Sequence, residues 1–168
     1  MLSLSTGMAG PHLPKSITEV WLTPPAVLEA LGPFDLDPCA APEPRPWPTA
    51  SVHYTEQQDG LSLPWYGRVW VNPPYSTATV GIWLEKLADH GCGTALIFAR
   101  TETKAFHAQV WQRATSLFFF AGRLFFHHSD GSQAKHNAGA PSVLIAYGAE
   151  DAKRLEQCNL DGFHVRLR

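Results

Sequence analysis

The sequence predicts a single α/β domain in which a mostly parallel sheet is covered by helices and carries an antiparallel strand pair near the C-terminus. Three observations lead there. Short apolar runs alternate with segments of helical spacing between residues 23 and 113, the order expected when each strand returns to the sheet through a crossover helix. Strand-like runs at 116–121, 124–127 and 142–147 then follow one another with no helical pattern between them, which favours antiparallel neighbours. A length of 168 residues suits one domain around one core. That domain is taken to span 1–168, with 1–18 as an N-terminal arm.

Taken in order, Thr23-Pro24-Pro25 opens the first helix, threonine as N-cap and proline in the first turn. Val27, Leu28 and Leu31 form its apolar stripe up to the stop at Gly32-Pro33. Residues 34–36 read as a short strand ending at Asp37-Pro38, 51–55 as a second, and 68–71 as a third that Asn72-Pro73-Pro74 halts. Helical spacing returns at Val80, Trp83, Leu84 and Leu87 and closes at His90-Gly91, glycine being a common helix terminator. A continuous apolar run over 94–99 has strand length, and 103–113 sets Phe106 and Val110 on one helical face. Ligands of such sheets bind beyond the carboxyl ends of the strands.

Composition narrows the function classes. A net charge of −2 argues against a strongly basic nucleic-acid binder, because non-specific affinity comes mainly from Lys and Arg on phosphates. Any contact with DNA must be local. The apolar runs are too short to span a bilayer and Met1 to Gly10 lacks the features of a signal peptide, so a cytoplasmic protein without membrane partners is expected. Three widely spaced cysteines, Cys39, Cys92 and Cys158, indicate neither a disulfide framework nor a zinc site. His127, His128 and His136 with Asp130 lack ligand spacing, since adjacent histidines alternate sides of a strand. No metal is expected. A homodimer pooling two modest basic surfaces is compatible with the sequence but not indicated by it.

The chemistry concentrates at Asn72-Pro73-Pro74-Tyr75, a rigid polar corner ending the apolar run Val69-Trp70-Val71. An exocyclic amine such as N6 of adenine is a poor nucleophile, because its lone pair is delocalised into the ring. Accepting hydrogen bonds from both amine hydrogens returns electron density to nitrogen. The Asn72 side-chain oxygen and the Pro73 carbonyl are two such acceptors, and consecutive prolines preorganise them. Tyr75 adds a face on which an extruded base can stack. The plain alternative is a proline-rich turn after an edge strand, with tyrosine as ordinary packing.

Upstream, Trp21-Leu22-Thr23-Pro24-Pro25, then Phe34-Asp35-Leu36-Asp37-Pro38-Cys39-Ala40, then Asp59-Gly60-Leu61 precede the corner. This ordered set resembles the phage- and prophage-type DNA N6-adenine methyltransferase family, over roughly residues 20 to 148. The resemblance implies a trimmed Rossmann-like S-adenosylmethionine-dependent fold, DNA as partner, and a bacterial host cytoplasm as compartment. It implies cofactor contacts from Trp21, Thr23, Pro24, Asp37, Pro38, Cys39, Ala40, Asp59, Leu61 and Asn72. Asp37 would lie near the methionine or ribose part, and Asp59 would accept from the cofactor's adenine amine. Turn formation by Asp37-Pro38 and Asp59-Gly60, and core packing by Trp21, are the structural alternatives.

The sequence departs from the wider methyltransferase pattern in having Ala40-Ala41-Pro42-Glu43-Pro44 where a glycine-rich loop is usual. Neither Glu43 nor Glu56 is specified as a ribose ligand by spacing. Downstream, the resemblance places Arg100 and Thr101 on the rim of the site, with a helix cap as the alternative. Arg123 reads as structural, with a reach to substrate as the alternative. The polar stretch 129–139 offers Lys135, His136 and Asn137 as DNA-contacting donors on a loop, or is simply a flexible hairpin. Two rival functions keep the same corner or only the fold: methyl transfer to RNA or to protein glutamine, and a non-catalytic phage DNA-binding accessory.

Overall fold

The computed structural model describes residues 20–75 and 78–168. The expected N-terminal arm over 1–18, and Ser76 just after the corner, lie outside them. One seven-stranded sheet organises the chain, in the order β2-β1-β3-β4-β6-β5-β7. Its strands are β1 (Leu36–Asp37), β2 (Val52–His53), β3 (Val69–Val71), β4 (Gly93–Phe98), β5 (Ser116–Phe120), β6 (Ser142–Tyr147) and β7 (Gly162–Arg166). Helices α1 (Pro25–Leu31), α2 (Val80–His90) and α3 (Ala149–Gln157) cover it, with a π-helical segment at Phe106–Trp111.

The pairing is not mostly parallel. β1 pairs in parallel with β2 and β3, and β3 with β4; β4 with β6, β6 with β5 and β5 with β7 are antiparallel. The reason is that β6 inserts between β4 and β5 and runs against both. A segment not read as structured, 149–166, adds α3 and then β7 as a further antiparallel edge. β1 to β5 still point the same way, so the ends of β1, β2, β3 and β4 and the long connection from β5 to β6 all lie along one edge of the sheet.

Burial explains the two faces. On one side Leu36, Val71, Ile97 and Ile145 pack against Trp83, Leu84 and Leu87 of α2 and against Phe106 and Val110, so helical periodicity in both segments faces the sheet. On the other, Trp70, Leu96 and Leu144 meet Val27, Leu28 and Leu31 of α1 and Leu155 of α3. Glycine ends α2 as expected: Gly91 takes φ +76° and its N–H donates to the Leu87 carbonyl at 2.9 Å. The residue at the start of α1 is a correction. Pro24, not Thr23, is the N-cap, because Pro25 has no N–H to be capped and the Thr23 hydroxyl is engaged elsewhere.

Residues 124–127 are also not a strand. Phe126 is buried and Phe125 exposed, so the alternation that suggested one is real. Its backbone partners, however, are loop residues: Ala134 and Ala138 N–H donate to the Phe126 and Leu124 carbonyls at 2.9 and 2.7 Å. Only His127 forms bridges, to Leu22 and to Gln133. The loop carrying Lys135, His136 and Asn137 is therefore pinned at two buried alanines, Ala134 and Ala138, with those three side chains exposed between and beside them.

A buried ion pair joins the two halves. Arg68, just before β3, donates from Nη2 to Asp151 of α3 at 2.7 Å, and from Nη1 and Nη2 to the Pro33 and Leu31 carbonyls at 2.6 and 3.2 Å. Thr94 of β4 donates to the same Asp151 oxygen at 2.7 Å, and the Arg68 guanidinium lies 4.4 Å from the Phe34 ring centroid. Every charge in this cluster has partners, the condition under which burial of an ion pair is tolerated.

Candidate active site

The four sequence motifs meet at the strand-end edge. Asn72 follows β3 directly and is half-buried; its side-chain nitrogen donates to the Thr23 hydroxyl oxygen at 3.2 Å. The Cys39 thiol, beyond β1, lies beside the Asn72 backbone. Gly60 packs so tightly on the 37–40 segment that a side-chain carbon there would collide with the Pro38 carbonyl oxygen; only glycine allows that approach. Segments 21–24, 37–40, 59–61 and 72–75 are thus one cluster.

Helix α2 fixes the third of these segments from behind. Lys86 Nζ donates to the Leu61 and Leu63 carbonyls at 2.6 and 2.7 Å and to the Gly60 carbonyl at 3.3 Å. Trp65 Nε1 donates to the Gly60 carbonyl at 2.8 Å. Three loop carbonyls that no strand satisfies are thereby satisfied by one ammonium. Asp59 itself is exposed and closes a short 3-10 turn at φ +52°.

Asp37 is buried, and its carboxylate accepts from the Cys39 N–H at 3.0 Å and from the Thr49 hydroxyl. Burial pushes its pKa up to about 6, against those hydrogen bonds. Two donors leave lone pairs on the carboxylate unused. Pro38 and Ala40 are buried beside it, and burial together with the neighbouring Asp37 raises the Cys39 thiol, which stays protonated. His53, at the end of β2, receives the Thr49 and Ala50 N–H groups on Nε2 at 3.2 and 3.3 Å, and burial lowers its pKa.

Around the corner, the Tyr75 hydroxyl donates to Asn72 Oδ1 at 2.8 Å. Its ring stacks on Phe98 with centroids 4.3 Å apart and meets Phe126 edge-on at 6.2 Å. Burial raises the phenol well above its usual range, so it is a neutral donor. A cavity of about 390 Å³ opens beside Tyr75, walled by Leu84, Ile97 and Phe106 and bordered by exposed Arg100 and Lys104. Thr101 lies next to Arg100, its carbonyl accepting from Trp111 Nε1 at 3.3 Å. Trp21 is exposed and packs on His128, centroids 5.0 Å apart. Lys135 and Asn137 belong to the connection from β5 to β6 on the same edge, with no contact drawing them to Asn72.

Sequence reasoning missed Lys86, Thr49 and Phe98 as builders of this site. Phe98 closes an apolar run and was legible only as strand; Thr49 and Lys86 gave no local signal. Glu43 and Glu56 are exposed, Glu43 pairing with Arg45. Among the described residues, no three His, Cys, Asp or Glu side chains converge, and no helix is long and apolar enough to cross a membrane.

None of the segments 21–24, 37–40, 59–61 and 72–75 contains Lys or Arg, and the acceptor oxygens of Asp37 and Asn72 lie among them. Those acceptor oxygens suit a group bearing positive charge, such as a sulfonium with an amino group, while the neighbouring Lys86 ammonium is turned onto the Gly60, Leu61 and Leu63 carbonyls. The model of the family described as DNA N-6-adenine-methyltransferase (Dam) matches residues 10–159. No curated protein and no solved structure matches the chain.

Proposed function

We propose, from the premise that the chain belongs to the DNA N-6-adenine-methyltransferase family, that it transfers methyl from S-adenosylmethionine to the N6 amine of an adenine turned out of DNA, at Asn72. DNA adenine methylation is the family's activity. The choice of cofactor, the extrusion of the base and the residue roles are the reading offered here. The observation that carries it is that segments 21–24 and 37–40 meet at Asn72 and that 59–61 packs on 37–40, although the four lie far apart in sequence.

Pro24, Asp37, Cys39, Ala40 and Leu61 would hold the cofactor, which supplies a methyl group made electrophilic by its positive sulfur. The protein's own part is orientation and electrostatics. An adenine leaves the stack before reaction because its amine cannot meet a donor while paired, a cost of a few kcal/mol. Stacking on Tyr75 offsets that cost. Asn72 Oδ1 and the Pro73 carbonyl then accept the two amine hydrogens, raising the electron density on nitrogen and holding it in line for displacement. Arg100 and Thr101, with Lys135 and Asn137 of the pinned loop, are the residues we assign to DNA contact; the low net charge makes these few contacts matter.

The test is incubation with methyl-labelled S-adenosylmethionine and, separately, unmethylated DNA, RNA and a protein mixture, followed by nucleoside and amino-acid analysis. Label in N6-methyladenine from DNA is the expected result. Label confined to RNA or glutamine would reassign the substrate, and no label in any arm would leave the chain a non-catalytic member of its family.

A further inference from the structure

We propose that Thr23 is a positioning residue that sets which way the Asn72 side-chain amide points. The proposal rests on the methyl-transfer reading above and extends it to a residue 49 positions away in sequence. An amide at a strand end can present either its oxygen or its nitrogen, since the terminal torsion of asparagine is broad and roughly two-fold. The reaction tolerates only one choice. Oxygen toward the amine accepts a hydrogen and enriches the nucleophile; the amide NH2 in its place would oppose the amine's own hydrogens.

The two hydroxyls flanking Asn72 decide between them. Thr23 Oγ1 accepts from Nδ2 at 3.2 Å, and the Tyr75 hydroxyl donates to Oδ1 at 2.8 Å. A phenol is a stronger donor and weaker acceptor than an aliphatic alcohol, because its oxygen lone pair is delocalised into the ring. Tyrosine on the oxygen side and threonine on the nitrogen side is therefore the favoured arrangement, and exchanging the amide's ends would put the weaker donor on its oxygen and the weaker acceptor on its nitrogen.

Thr23 can do this because it is itself immobilised. It is 2% exposed, so its own hydroxyl is shielded from water. Leu22 N–H donates to the His127 carbonyl at 2.8 Å and His127 N–H returns a bond to Leu22 at 3.0 Å. Trp47 Nε1 donates to the Thr23 carbonyl at 3.2 Å. Residues 22–23 form a strap held on both sides, by His127 in the connection after β5 and by Trp47 in the connection from β1 to β2. This also accounts for threonine standing where it caps nothing.

The experiment compares Thr23→Val, which keeps shape and removes the hydroxyl, with Thr23→Ser, which keeps it; Thr23→Ala replaces the valine variant should that one not fold. In cofactor titrations at saturating DNA, Thr23→Val should lose turnover by roughly ten- to a hundredfold, the scale of a misplaced reacting group, with cofactor KM unchanged. Thr23→Ser should recover most of the rate. The Asn72 side-chain amide resonances, identified by their loss in Asn72→Asp, should shift and exchange faster in Thr23→Val. Wild-type turnover in Thr23→Val, a loss confined to cofactor KM, or unchanged Asn72 amide signals would each overturn the positioning role. A wild-type protein that methylates no adenine fails the underlying reading instead, and the amide signals keep the two failures apart.

Discussion

On the parallel side of the sheet β1, β2 and β3 are two, two and three residues long, whereas β4, β5, β6 and β7 run to six, five, six and five. The long strands hold each other by ladder hydrogen bonds, and few side chains are needed to fix them. The short ones cannot. Side chains take over there: Lys86 satisfies the loop before β3, Asp37 ties Thr49 to β1, and Arg68 ties the end of α1 to α3. The difference follows from what each side must do. A sheet edge that gathers several loops has little room for ladder, so its order is carried by single polar side chains, each able to fail alone.

The largest effect should therefore come from the staple between the halves. Asp151→Ala leaves Arg68 buried without its carboxylate and should destabilise the fold by about 3–5 kcal/mol, measured by urea unfolding. A loss below about 1 kcal/mol would mean that the Pro33 and Leu31 carbonyls alone suffice for Arg68.

Asp37 sharpens the comparison through pH. Its pKa in the folded protein, about 6, lies above the ordinary 3.8, so the fold favours the protonated acid. That contribution is complete below the ordinary value and is lost as pH rises through 6. At neutral pH the buried carboxylate costs up to about 3 kcal/mol. Asp37→Asn should match or exceed wild-type stability at neutral pH and lose that advantage as pH falls through 6 toward 4. His53, with its lowered pKa, works in the other direction: its contribution is present above the ordinary histidine value and is lost as pH falls through the folded one. Parallel stability profiles for wild type and Asp37→Asn would show that Asp37 is not the titrating group.

Smaller effects belong to substrate capture. Tyr75→Ala should weaken binding of DNA with an extrudable adenine by about 1–3 kcal/mol, while Tyr75→Phe keeps the aromatic ring and should keep most of that affinity. Equal losses in both variants would assign the effect to the hydroxyl. Smallest of all, Lys135→Ala should lower the slope of log affinity against log salt by about 1, one phosphate contact. An unchanged slope would remove the 129–139 loop from the DNA interface.

Legibility in the sequence follows the same division. The corner at Asn72, the glycine stop after α2 and the apolar periodicities of α2 and of the 103–113 segment were readable, because proline, glycine and helical spacing act locally. The late strands misled. Residues 124–127 alternate like a strand yet pair with loop residues, and β6 enters between β4 and β5 without any local mark, turning a mostly parallel expectation into an even mixture. α3 and β7 went unread because the helix buries Asp151 as well as Leu155, and the strand exposes Phe163 at 72%, each against its residue type. At the site, residues whose partners are distant in sequence, Lys86 and Thr49 among them, carried no signal at all.

The central claim is that Asn72 drives methyl transfer to adenine, and turnover of Asn72→Ala tests it most directly. With labelled S-adenosylmethionine, saturating DNA and nucleoside analysis, the variant should transfer methyl roughly a hundred- to a thousandfold more slowly than wild type, the usual loss of one acceptor or donor aimed at developing charge. It should stay folded, with stability lowered by about 1–3 kcal/mol for the Thr23 and Tyr75 hydroxyls left without this partner, and it should still bind the demethylated cofactor in calorimetry, because the side chain ends a strand at the sheet edge and fills no core. Methylation of adenine by Asn72→Ala at the wild-type rate would contradict the claim and reduce the corner to a turn.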